Sequence, residues 1–354
     1  MKRVLLLWLA VLFGLLLPAQ EQQELLNLKI EARGDYQHSY IRGATDDEDS
    51  GFKGKFLNIR IDGNISEEFS YSYRQRLNKN DSDDSFFDAT DWIYLTWKKR
   101  GFEISAGKLL VALGGYEYDV APIDLYFCSE WWHNLPCYQL GVSVGYSFNG
   151  GKDKIIAQLC ESPFRGKVEV TDFWGNVTLK KQEEMFACNF IWTGSHGWFN
   201  TAYSVNMIEY LPGKYINYIS LGHKLDFGEF QVELDFMNRA TSGHTFLFTD
   251  MSAVTKISWQ PTRRLNIFAK GSYDVNNTDV DKDFLVAEGT EVARFGGGVE
   301  YFPLKDARND VRIHAAGSFT FGDTPAGVLR DNNTFITVGV TWRMNLLSLK
   351  NKIL

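Results

Sequence analysis

After residue 20 the chain has no apolar run long enough to cross a bilayer as a helix, which takes about 20 residues. An exported chain of this kind is therefore either soluble or a membrane barrel built of strands. Proline is scarce, with 8 residues in 354, and mean hydropathy is only mildly negative, -0.24. Positive charge is not in excess either: the formal net charge is -7, which gives no support to a nucleic-acid partner. No cluster of His, Cys and carboxylates has metal-ligand spacing, so neither a metal nor another cofactor is expected. Among the histidines, His314 shares a strand face with Ser318 and His223 is expected to face lipid. Neither stands in a spacing that defines a nucleophile and its base. The triplet Gly296–Gly298 lies inside a strand pattern, where small residues relieve packing, and is not a phosphate loop.

What is present begins with an export signal. Lys2 and Arg3 precede an apolar run from Val4 to Leu17, followed by Pro18 and the small residue Ala19, so 1–19 reads as a signal peptide. Beyond it, aromatic residues reach 15 % and residues alternate apolar and polar with period two over about ten positions, again and again. Leu28, Ile30, Ala32, Gly34 and Tyr36 oppose Lys29, Glu31, Arg33, Asp35 and Gln37; Phe230, Val232, Leu234 and Phe236 oppose Gln231, Glu233, Asp235 and Arg239. About sixteen such segments occur, and short connections alternate with long ones, as periplasmic turns and extracellular loops do in outer-membrane barrels. A soluble β-sandwich also alternates, but its strands are usually shorter and its outer face does not repeatedly carry Phe, Tyr and Trp. The expected fold is all-β: a transmembrane antiparallel up-and-down barrel over 20–344 in the bacterial outer membrane, in contact with lipid, followed by a tail at 345–354. The segment Ala44–Ser50 is expected to be a loop, as is Arg165–Lys181.

The widest interruption of the pattern is 114–137, the third extracellular loop, rich in aromatics and containing no Lys or Arg. Folded inward, it would constrict the lumen with Glu117, Asp119, Asp124 and Glu130. Lumenal parity gives a facing set of bases: Arg33, Arg60, Arg74 and Arg76 from the first three strands, and Lys256, Lys270, Arg294, Arg312 and Arg343 from the last five. Barrel closure joins these two groups into one arc, and opposed charges across a narrow pore orient polar solutes. Cys128 and Cys137, close together in an exported loop, are expected to form a disulfide. Cys160 and Cys188 have opposite parity on neighbouring strands and are not expected to bridge, although a Cys128–Cys160 link stays open.

The stretch AGKLLVALGGYEYD, the aromatic loop after it and ESPF resemble porins of the phosphate-selective porin O and P family. TVGVTWRM similarly resembles the terminal recognition strand of outer-membrane barrels, with Met344 in place of the usual second aromatic. The layout of nearly the whole mature chain is shared, while the specific text lies between Gly107 and Phe164. The resemblance implies a passive diffusion channel for small hydrophilic solutes or ions, typically a homotrimer, with the third loop folded into the pore. Its phosphate-binding members rely on arginine and lysine clusters at the constriction, and the loop of this chain departs from that. Two other functions remain in view: a non-conducting structural or adhesive barrel, and a barrel hydrolase using His314 or His223.

Overall fold

A computed structural model describes residues 23–79, 87, 89–134, 137–165, 167–171, 177–181, 184–241, 249–277, 286–306, 308–323 and 333–351. The signal-peptide reading of 1–19 lies outside these residues. In chain order the strands are β1 (Gln23–Ile41), β2 (Ala44–Asn64), β3 (Phe69–Arg76), β4 (Thr90–Lys99), β5 (Phe102–Leu110), β6 (Tyr138–Phe148), β7 (Asp153–Glu161), β8 (Lys167–Thr171) and β9 (Val177–Lys181). They continue with β10 (Phe186–His196), β11 (Phe199–Leu211), β12 (Lys214–Asp226), β13 (Phe230–Thr241), β14 (Asp250–Thr262), β15 (Leu265–Asn276), β16 (Thr290–Lys305), β17 (Asp310–Asp323) and β18 (Asn333–Asn351). All but β8 and β9 close into one antiparallel barrel of sixteen strands, β1 pairing with β18 to seal it. Closure leaves no open sheet edge, the condition for placing strands in lipid.

The period-two pattern decides which way each side chain faces. On β10, Phe190 is 48 % exposed on the outside while its neighbours Asn189 and Ile191 are buried. An aromatic belt lies on the outer surface near the short turns, where Phe102, Phe148, Trp198, Phe227, Phe230, Trp259 and Tyr301 are all exposed. Parity also separates two cysteines: Cys160 is buried, whereas Cys188, one register position along the β7–β10 pair, is exposed.

Three segments differ from expectation. Ala44–Ser50 is part of β2, because Arg42 (φ 51°) and Gly43 (φ 82°) turn the chain in two residues and let the strands extend past it. Within Arg165–Lys181, β8 and β9 form a separate two-stranded sheet. The tail begins by extending β18 to Asn351, with Asn345 opposite Lys29 and Leu349 opposite Leu26. Leu347 and Leu349 keep the apolar-out pattern there, exposed at 45 % and 48 %.

The loop between β5 and β6 enters the lumen. It forms a short helix α1 (Tyr116–Asp119), a 3-10 turn (Pro122–Asp124) and a second helix α2 (Glu130–Asn134). Loop residues Val111, Leu113, Tyr118 and Trp131 pack with the wall residues Cys160, Ala187, Ile208, Ile216, Tyr218, Met237 and Val254 in one buried cluster. The apolar core of this molecule thus lies inside the barrel, on the wall β7–β14, where a wide pore would carry polar side chains.

Candidate functional site

The loop leaves β5 as extended chain running across the inner wall. Ala112 N–H donates to Gln158, Gly114 N–H to Ser204 and Gly115 N–H to the Ala202 carbonyl. At this crossing the approach is backbone against backbone: a Cβ at Gly222 would lie 2.8 Å from Gly115 Cα, and one at Gly114 2.6 Å from the Ala202 oxygen. Only glycine leaves that space, and Gly115 also adopts φ 101°.

Two wall carboxylates then receive the beginnings of the two helices. Asp235 accepts the N–H groups of Tyr116 and Glu117 at 2.8 and 2.7 Å, and Asp274 accepts that of Glu130 at 3.2 Å. Unpaired amides at a helix start are satisfied in this way by an acceptor supplied from another element.

The acids of the loop meet the basic arc directly. Glu117 pairs with Lys270 at 2.5 Å, Asp124 with Arg312 at 2.7 Å and Arg343 at 2.6 Å, and Glu130 with Arg294 at 2.9 Å. Arg33 reaches the same segment through its backbone, donating to the carbonyls of Ile123 and Leu125, and its guanidinium lies over the Tyr126 ring. The expected picture of loop acids facing bases across an open gap therefore changes: three of the four acids are clamped to the wall. Burial opposes ionisation of Glu117 and Asp124, but Lys270 in one case and Arg312 with Arg343 in the other hold both carboxyls below their usual range. Asp119 is the exception. Its side chain is exposed to the lumen and no ion pair reaches it among the described residues; the surrounding protein still desolvates the carboxyl in part and raises its pKa, Lys224 opposing and Glu233 adding to the effect.

The remaining arc residues behave differently. Arg60 pairs with Asp62, Arg74 and Arg76 with Asp91, and Arg60 and Arg74 both stand over Trp92, at 5.5 and 3.9 Å from its centroid. Arg74 also donates to the hydroxyl of Tyr138. Lys256 lines a small enclosed space beneath the loop with Tyr126 and Phe268. The β2–β4 wall is thus the side the loop leaves uncovered.

The expected Cys128–Cys137 disulfide is not formed. Helix α2 separates the pair. Cys128 lies against His133, its Sγ 3.1 Å from Nε2, and its carbonyl accepts from Arg294 of β16. Cys137 packs beside the β7–β14 cluster, its carbonyl accepting from Val111. His314 is fully buried, 3.1 Å from Asp35 and tilted over the Tyr126 ring. His223 packs against Phe199 and Tyr203. Among the described residues no group of three or more His, Cys, Asp or Glu is placed to hold a metal ion.

Besides that small space, two larger cavities in the lumen are lined by described residues. One, of 300 Å³, lies toward the long-loop end and is lined by Arg33, Lys55, Phe56, Trp132 and Phe335 among others. The second, of 570 Å³, reaches the short turn at Asp306–Asn309 and is lined by Arg60, Arg74, Trp92, Tyr94, Asp119 and Tyr138. Pro122 and Trp132 line both. Sequence reasoning missed the aromatic members and the two helix-binding aspartates. Apolar residues at lumenal positions, such as Ile208 and Ile216, were the available signal that something covers that wall.

A closed sixteen-strand barrel with an inward loop and a residual polar lumen is the architecture of an outer-membrane porin. The chain belongs to the phosphate-selective porin O and P family, whose sequence model matches residues 26–316. It is a passive diffusion channel of the bacterial outer membrane. No curated protein sequence matches the chain. Solved structures are similar in fold. An anion-selective porin from Comamonas acidovorans aligns with TM-score 0.61 at 9 % identity, over 90 % of this chain and 99 % of that one. The outer-membrane channel DcaP of Acinetobacter baumannii gives 0.58 at 10 %, over 89 % and 96 %. A trimer form of OmpT from Vibrio cholerae gives 0.56 at 11 %, over 91 % and 99 %.

Proposed function

We propose that this porin conducts small hydrophilic solutes and ions along its β1–β6 wall, through a narrowing bounded by Pro122 and Trp132. The observation that carries this reading is that the two lumenal cavities share those two residues. The loop fixes the size limit by occupying the β7–β18 side. It also sets the charge preference by neutralising Lys270, Arg294, Arg312 and Arg343 while leaving Asp119 along the path, beside Arg60 and Arg74 with their wall partners Asp62 and Asp91. Phosphate selectivity is not favoured, because Arg33, Arg294 and Arg312 are already engaged by loop carbonyls and carboxylates. The protein acts as a channel rather than an enzyme: His314, with no exposed side-chain surface, has no access for a substrate. A homotrimer is the proposed assembly, by analogy with the trimeric Vibrio cholerae OmpT.

Purified folded protein in planar bilayers should give stepwise conductance, and liposomes containing it should swell in small sugars. A folded barrel that conducts no ions would return the non-conducting structural or adhesive function to first place.

A further inference from the structure

Where β1 and β2 pair, Arg33 stands opposite Phe56 and Gly34 opposite Gly54, so Lys55 is an extra residue without a partner. Such a bulge breaks strict alternation and turns two consecutive side chains toward the same side. The outcome is visible here: Lys55 and Phe56 both line the 300 Å³ cavity at the long-loop end. A regular strand would have sent the lysine outward. No anion lies within ion-pair distance of Lys55 among the described residues, although Asp49 lines the same cavity and takes a hydrogen bond from Gln37. The two arginines of the cavity, Arg33 and Arg294, are saturated by Asp35, Glu130 and loop carbonyls, and the His133 ring lies against Cys128.

Around this one available ammonium, the walls are aromatic: Phe56 from β2, Phe335 from β18 and Trp132 from the loop face the cavity. A pocket of about 300 Å³ with apolar walls and a few oriented polar groups is the size and chemistry that accommodates a small organic ligand. A strongly hydrated inorganic anion gains nothing from such walls, whereas a planar apolar body bearing one carboxylate satisfies both features.

We infer that the extracellular vestibule is a binding site for aromatic monocarboxylates, with Lys55 holding the carboxylate and Phe56, Trp132 and Phe335 flanking the ring. This rests on the porin reading and names a solute class for it. A solute that binds before it passes a narrow point interrupts the ion current while resident.

The test is single-channel recording of the wild-type protein in potassium chloride, with benzoate, acetate, benzamide or inorganic phosphate added on the loop side. Benzoate should produce transient closures, and acetate, benzamide and phosphate should not at equal concentration. Lys55→Gln should raise the half-blocking concentration of benzoate about tenfold, the scale of one charge-assisted hydrogen bond. Phe335→Ala should weaken benzoate block as well, by removing one of the flanking rings. Equal block by acetate or phosphate, or an unchanged benzoate response in Lys55→Gln, would overturn the inference. Conductance in plain salt separately tests the porin reading, since a channel that conducts and ignores benzoate leaves that reading intact.

Discussion

Single side chains divide into clamps and lining. Asp124 is a clamp, held by two guanidiniums, so its carboxyl titrates below the ordinary 3.8. A carboxyl depressed in the folded state contributes stability above its unfolded pKa and loses it as pH falls through the folded value. The loop should therefore stay docked in mild acid and detach only in strong acid, seen as rising current noise. Asp124→Asn should shift the loop toward that state at neutral pH, because it removes the shared partner of Arg312 and Arg343 from a part-buried site. Asp119 is lining. Partial desolvation by the surrounding protein raises its pKa, so it neutralises at a higher pH than a carboxyl free in water would. Reversal potential in a salt gradient should shift toward anion preference as pH falls through that range, and Asp119→Asn should lie there already at neutral pH. The identities of these acids were legible in the sequence as a charge set, because parity and loop composition single them out. Which are neutralised was not, since pairing depends on where the loop lies. The cysteines show the same limit: 128 and 137 are close in sequence, but α2 places them on different sides of the loop.

At the scale of elements, the loop is held by its apolar side as firmly as by its charges. Trp131 is fully buried, edge-on to Tyr218 at 5.2 Å and below the Arg239 guanidinium. Trp131→Ala should cost about 3–5 kcal/mol of loop docking, read as faster proteolysis within the loop while the barrel stays protected. Gly222→Leu should act through space rather than polarity, since its side chain would occupy the position of the Gly115 backbone. Larger and noisier conductance is the expected outcome, and an unchanged channel would show that the loop docks elsewhere. The strands themselves were legible, because a lipid face and a water face force period two on the sequence. The long β1–β2 hairpin was not, because the polar run TDDEDS looks like a loop while a two-residue turn at Arg42–Gly43 lets it pair.

For the whole molecule, the closed barrel with its aromatic belt predicts that native protein migrates anomalously in mild detergent and shifts on boiling, with a trimer band if the proposed assembly is right. The order in which the parts become available is fixed as well. The loop lies between β5 and β6, yet its anchors are distant in sequence: 143 residues separate Lys270 from Phe127, 188 separate Arg312 from Asp124, and 219 separate Arg343 from Asp124. Contacts of such separation form late in folding. Until β15, β17 and β18 are in place, the loop has only the β7–β14 wall to rest on and lacks its charged anchors. The constriction is thus completed together with the barrel: Arg343, the last of its charged anchors in the chain, arrives on the strand whose pairing with β1 seals the wall.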